Sequence, residues 1–340
     1  MTSRMLEETR EAPAAVARLM DADAGAYAAF ARNLREQPPL SMLTVARGSS
    51  DHAAAYLSYL VMARLGRLVA SLPMSVITLY QAHLRSEGLV ALAFSQSGRS
   101  PDLTAPIAAV GAAGARTAAF VNDIQSPLAA AAQWQFALHA GTETSVAATK
   151  SYICQLVAGA RLVAQWQQDE TTLGALRELP SALQRALAQD WTPMIAPLQS
   201  RDRLLVIGRG TGLPVAAEAA LKLKEVCGIQ AEAFSGAELR HGPMALIEDG
   251  YPLLVFAPRG PAQADLLALA RDMQGRGARV LLAAPEGTPG TVLPLASCGH
   301  EDLDPIVAVQ SFYQAAEALA RARGLDPDHP RHLSKVTHTR

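Results

Sequence analysis

The chain repeats itself, and this constrains its fold more than any single motif. LTVARGSSDHAAAY begins at Leu43 and LLVIGRGTGLPVAAEA begins at Leu204; aligning Arg47-Gly48 with Arg209-Gly210 sets an offset of 162. The same offset lays VALAFSQSG (90–98) on PLLVFAPRG (252–260), and Gly114-Ala115-Arg116 meets Gly277-Ala278-Arg279 at 163. Three blocks at nearly one offset imply two copies of one unit. A length of 340 residues accommodates two domains of ordinary size.

Each copy alternates short apolar runs with longer amphipathic ones. In the first, LTVA, VALAF, TAAFV and QFALHA read as strands, with helices expected over 51–65, 103–114 and 147–168. In the second, LLVIG, PLLVF and RVLLAA read as strands, with helices over 214–226 and 263–275. Alternating β and α at this spacing predicts an α/β fold with parallel sheets and helices on both faces. The expected organisation is a helical segment over 1–40, a first α/β subdomain over 41–168, a helical linker over 169–200, a second subdomain over 201–325 and a tail over 326–340.

Composition narrows the function classes. Half of the residues are hydrophobic and only 18% are charged, which excludes a disordered chain or one that coats nucleic acid. Lys plus Arg is 30 against 31 Asp plus Glu, so no global field attracts polyanions. Any phosphate bound is then small and held locally. Cys154, Cys227 and Cys298 are far apart, with neither a disulfide framework nor zinc spacing. The N-terminus carries acids where a signal peptide needs an apolar core, and no run of about 18 apolar residues is present. A cytoplasmic protein, with neither nucleic acid nor membrane as partner, is expected.

In a doubly wound sheet, ligands bind beyond the carboxyl ends of the strands. Ser95-Gln96-Ser97-Gly98-Arg99-Ser100 follows VALAF and precedes a helix. Its hydroxyls, its glycine and the helix N-terminus are what a small phosphate needs; a serine-rich cap built on Ser100 and Asp102 is the plainer alternative. Ser49 and Ser50, after LTVA, have the same chemistry and the same alternative. GTETSVAATK (141–150) reads first as an elaborate cap. The helix EAALKLKEV places Glu218, Lys222 and Glu225 on one face. That row is either a solvated salt-bridge row or a catalytic face. His241, in SGAELRHGPMALI, follows a polar turn that Gly242 and Pro243 stiffen, and is either structural or held over a site. GRGTG (208–212) departs from the dinucleotide fingerprint, so no nicotinamide cofactor is expected.

Taken together, SQSGRSPD, GTETSVAATK, EAALKLKEV, AELRHGP and PRHLSKVT resemble the sugar isomerase (SIS) domains, specifically the isomerase half of glucosamine-6-phosphate synthase. The resemblance runs from about Met5 to Lys335. It implies two tandem SIS subdomains, each a flavodoxin-like, Rossmann-like three-layer α/β/α sandwich. It assigns the sugar phosphate to Ser50, Ser95, Gln96, Ser97 and Ser100, with Ser49 alongside, and catalysis to Lys222, Glu225, His241 and Lys335; Glu218 lies on the same helix face. Ala148 stands where the synthase has a sugar-contacting serine, and Ser145-Val146 where it has Gly-Val.

The sequence shows no counterpart of the synthase's glutaminase domain with its leading cysteine, and position 2 is Thr2. With VARGSSDHA and AATKSY, the pattern is most similar to the stand-alone SIS-type glucosamine-6-phosphate deaminases. The implied reaction is glucosamine 6-phosphate plus water to fructose 6-phosphate plus ammonia, without metal or other cofactor. Another phosphosugar isomerase or deglycase, a synthase subunit using ammonia from elsewhere, and a non-enzymatic sugar-phosphate sensor are the alternatives. The synthase takes its histidine from the neighbouring subunit, so a homodimer with shared active sites is expected.

Overall fold

Ten short strands, most of them largely apolar, form the framework of the described residues, 2–335, in the computed structural model. They are β1 (Met42–Val45), β2 (Val69–Ser71), β3 (Val90–Ser95), β4 (Arg116–Val121), β5 (Trp134–Ala137), β6 (Arg203–Gly208), β7 (Gln230–Ser235), β8 (Pro252–Phe256), β9 (Arg279–Pro285) and β10 (Leu293–Leu295). They pair, all in parallel, into two five-stranded sheets of order β2-β1-β3-β4-β5 and β10-β9-β8-β6-β7. Numbered within its own half, each sheet has the order 2-1-3-4-5, so the duplication holds at the level of topology. This is the doubly wound, flavodoxin-like order, whose direction reverses between its first and third strands.

Two compact units contain these sheets. The first comprises 14–143, 150–177 and the tail from Ser334; the second comprises the residues up to Pro13, 144–149 and 178–333. The N-terminal helix Arg4–Asp21 is thus divided between the units, as is the helix Glu170–Leu187, whereas Ala24–Glu36 lies wholly in the first. Residues 336–340 of the expected tail lie outside the described residues.

In the first unit, β3 is buried at every position, as a parallel strand covered on both faces must be. One face packs Ala91 and Ala93 against Leu103, Ile107 and Val110 of the helix Pro101–Ala112. The other face concentrates the chain's few aromatics: Phe94 stacks on Phe120, and Phe120 on Phe136, at 4.7 and 4.8 Å between ring centres. The helix Lys150–Gln167 is buried nearly all round. Polar side chains inside it need partners, and Arg161 meets this need by donating to the carbonyls of Leu19 and Ala22.

In the second unit, Leu205, Ile207, Leu253, Val255 and Leu282 cover one sheet face against the helix Gln263–Gly275. The helices Leu213–Cys227 and Asp304–Ala322 also belong to this unit. The three cysteines are free and buried, and burial pushes each thiol up to about 12. No helix of the described residues is long and apolar enough to cross a membrane.

Candidate functional site

In the first unit, the topological reversal lies between β1 and β3. The loops that follow them, 46–48 and 96–100, leave the carboxyl ends of adjacent strands side by side. Both lead into helices, Ser49–Leu65 and Pro101–Ala112, so unpaired N–H groups face the same end of the sheet. Gly48 and Gly98 take positive φ, 55° and 63°, which side chains disfavour.

Within the second loop, the Gly98 N–H donates to Ser95 Oγ at 3.0 Å and the Arg99 N–H to Ser97 Oγ at 3.3 Å. Both hydroxyls act as acceptors within the loop, so their own protons are available to an anion. Ser100 sits at the helix N-cap position, yet its side chain makes no cap hydrogen bond. The simple capping reading of this residue therefore fails. Gln96, Ser97 and Ser100 are half-buried, as are Ser49 and Ser50.

Gly98 also fits where a side chain would not. A Cβ there would stand 2.6 Å from Ser126 Cβ, and Ser126 is fully buried. Gly98→Ala is expected to cost about 1–3 kcal/mol in denaturant unfolding, from φ strain and this clash together. A destabilisation too small to measure would show that the loop is not held in this conformation.

Two ion pairs escaped the sequence reading. Arg47 Nε meets Asp102 Oδ2 at 3.0 Å in the first unit, and Arg209 NH1 meets Asp265 Oδ2 at 2.9 Å in the second. The residues correspond at offsets of 162 and 163, so the ion pair is duplicated with the fold. The hydroxyls are not: Ala257, Arg259 and Ala262 stand where the first copy has Ser95, Ser97 and Ser100. Arg259 is itself tied to Asp304 by two hydrogen bonds. The second copy has the same sheet without the serine-rich loop.

The second unit carries a different constellation. Along the helix Leu213–Cys227, Glu218 and Lys222 are buried and the Glu225 side chain is 20% exposed. Lys222 Nζ pairs with Glu225 Oε2 and lies 3.5 Å from Glu218 Oε1. Tyr313 OH, from the helix Asp304–Ala322, donates to Glu218 Oε1 at 3.1 Å. Burial excludes the solvated-row reading. A lysine held between two carboxylates, one of them partly open, can present both a base and a fixed cation.

His241 is exposed at the end of a short 3₁₀ turn, Glu238–His241. It lines a cavity of about 350 Å³ with Arg209, Arg240 and Asp265, all in the second unit.

Lys335 belongs to the first unit, where Nζ donates to Glu143 Oε2 at 2.9 Å. Glu143 also accepts from the N–H and hydroxyl of Ser151, in the first turn of the helix Lys150–Gln167. This carboxylate caps the helix, as expected for the 141–150 segment, and additionally holds the tail lysine. In the second unit, residues 144 and 145 are pinned by Glu8, which accepts from the Thr144 N–H at 2.5 Å and the Ser145 hydroxyl at 2.6 Å. Ala148 is half-buried in this segment.

The SIS domain pattern matches residues 35–164 and 197–284, more than half of the chain. The chain belongs to the SIS domain family. A SIS relative from Silicibacter pomeroyi DSS-3, provisionally described as a phosphosugar isomerase, is 43% identical. Its structure aligns over 96% of this chain and all of its own with a TM-score of 0.91. The glutamine–fructose-6-phosphate aminotransferase (isomerizing) of Zymomonas mobilis is 34% identical over 311 residues, 86% of this chain and 51% of that protein. The chain spans about half the length of the curated relatives it matches. The glucosamine-6-phosphate deaminase of Thermotoga maritima shares the fold, at TM-score 0.79 and 21% identity over 99% of this chain and all of its own. This SIS protein is thus homologous, over most of its length, to about half of the aminotransferase.

Proposed function

We propose that this SIS protein deaminates glucosamine 6-phosphate, giving fructose 6-phosphate and ammonia. The observation that carries the reading is the buried Glu218–Lys222–Glu225 face, with Glu225 as its partly open end.

The phosphate binds the serines after β1 and β3, Ser50, Ser95, Ser97 and Ser100, with Ser49 and Gln96 beside them. Their binding energy anchors the sugar and positions C1 and C2. His241 opens the ring by moving a proton between O5 and O1, since an imidazole has one nitrogen that can donate and one that can accept. Glu225 carries the proton between C2 and C1, and Lys222 offsets the charge that develops on O1 in the enolamine between them. The resulting C2 imine is hydrolysed by water, which releases ammonia and leaves the ketose. Lys335, held by Glu143, assists ring opening or forms an imine with the open-chain ketose. The exposure of His241 accords with its donation to a neighbouring subunit, in a cytoplasmic homodimer with shared sites.

Ala148 favours one second reading, an aldose–ketose isomerase acting on a phosphosugar whose C2 substituent does not need the missing serine. One assay separates the two. Incubation with glucosamine 6-phosphate, without glutamine, is expected to release ammonia in step with fructose 6-phosphate. Interconversion of aldose and ketose phosphates with no ammonia would replace the deaminase reading by the isomerase one.

A further inference from the structure

Gln155 took no part in the sequence reading, yet it is a polar side chain, 1% exposed, inside the most buried helix of the first unit. Close packing fixes its position. A Cβ at Gly159, one turn further along, would touch Leu57 of the helix Ser49–Leu65 at 3.4 Å, so the two helices approach closely. From there Gln155 Nε2 donates to Ser50 Oγ at 3.0 Å. Its other polar atom, Oε1, is buried and has no hydrogen-bond partner among the described residues.

The direction of this hydrogen bond matters. A serine hydroxyl has one proton and two lone pairs. When Gln155 donates to Oγ, the Ser50 proton is turned outward as a donor, which is what an anion requires. The reversed amide would take that proton, making Ser50 useless to phosphate, and would bury an NH₂ group in place of one acceptor. Burying an unpaired acceptor costs stability, so a core glutamine with a stranded Oε1 suits a positional role better than a stabilising one.

We propose that Gln155 is a positioning residue of the phosphate site, orienting the Ser50 hydroxyl as a donor to the sugar phosphate. This rests on the reading of the serine loops as the phosphate cradle, and the test separates the two claims.

Binding of glucosamine 6-phosphate, and its displacement by inorganic phosphate, would be measured by calorimetry for Ser50→Ala, Gln155→Met, the double variant and Gln155→Glu. Unfolding midpoints would be recorded alongside. Ser50→Ala and Gln155→Met are each expected to weaken binding about tenfold, the loss typical of one charged-acceptor hydrogen bond. The double variant should bind no more weakly than either single one, because both remove the same donor. Gln155→Glu should weaken binding further and recover as pH falls, since a carboxylate accepts the Ser50 proton until it is itself protonated.

Additive losses, or an unchanged affinity in Gln155→Met when Ser50→Ala weakens binding, would overturn the role of Gln155 while leaving the cradle intact. An unchanged affinity in Ser50→Ala would overturn the cradle and this inference with it. Should Gln155→Met not fold, Gln155→Asn, which keeps the amide one methylene short, has the same expected loss and the same overturning result.

Discussion

Glu225→Gln is expected to lower kcat for ammonia release by about 10³-fold, within the range that general-base removal commonly produces. Affinity for the sugar phosphate should be nearly unchanged. The amide is isosteric and its carbonyl can still accept from Lys222, so the helix face keeps its shape. What it loses is the ability to take a proton from C2 and return one at C1. Exchange of the C2 proton with solvent deuterium, followed in the bound sugar, isolates that step: it should stop in Glu225→Gln and be partly restored in Glu225→Asp. Full turnover in the glutamine variant would remove Glu225 from the role of base. A variant that no longer binds the sugar would show that the residue positions substrate instead.

Lys222→Met should have the largest effect on stability, about 3–5 kcal/mol in denaturant unfolding, the usual result of stranding a buried partner charge. Glu218 is completely buried and its cationic neighbour is Lys222, with Tyr313 supplying one further hydrogen bond. Removing the ammonium leaves a carboxylate in a low-dielectric interior, with a second carboxylate, Glu225, two helical turns beyond. The loss should shrink when the carboxylate left behind is made neutral, because that removes a buried charge. Glu218→Gln in the same chain should recover much of it for the same reason. A loss below about 1 kcal/mol, the scale of an exposed ion pair, would show that the row is solvated after all.

Much of this protein is legible in its sequence because the repeat carries the information twice. The central strands are continuous apolar runs, and each prediction falls on a strand of the structure: LTVA on β1, VALAF on β3, TAAFV on β4, LLVIG on β6, PLLVF on β8 and RVLLAA on β9. The strands that went unanticipated, β2, β7 and β10, all lie at sheet edges. An edge strand is covered less completely, so its residues need not be apolar: QAEAFS of β7 alternates polar residues with alanine over its first four positions and is fully buried only at Ala231. Two of these three strands have only three residues, too few for a period to show.

The candidate site divides along a similar line. Local chemistry was readable: serines and a glycine between a strand and a helix, carboxylates and a lysine at helical spacing, a histidine on a stiffened turn. Burial was not. Nothing in EAALKLKEV distinguishes a solvent-facing row from one turned inward, because charged residues at this spacing suit both. The partners that settle the matter are distant in sequence: Tyr313 for Glu218, Gln155 for Ser50, Glu8 for Ser145, and Glu143 for Lys335.

The sequence by itself determined the duplicated α/β architecture and the residue types available for phosphate and proton chemistry, since periodicity and local spacing are properties of the chain. Tertiary structure alone decided which of those groups are withdrawn from water and which way their hydrogen bonds run. Those follow from packing between segments distant in sequence, where the strength of a charge and the direction of a hydroxyl proton are set.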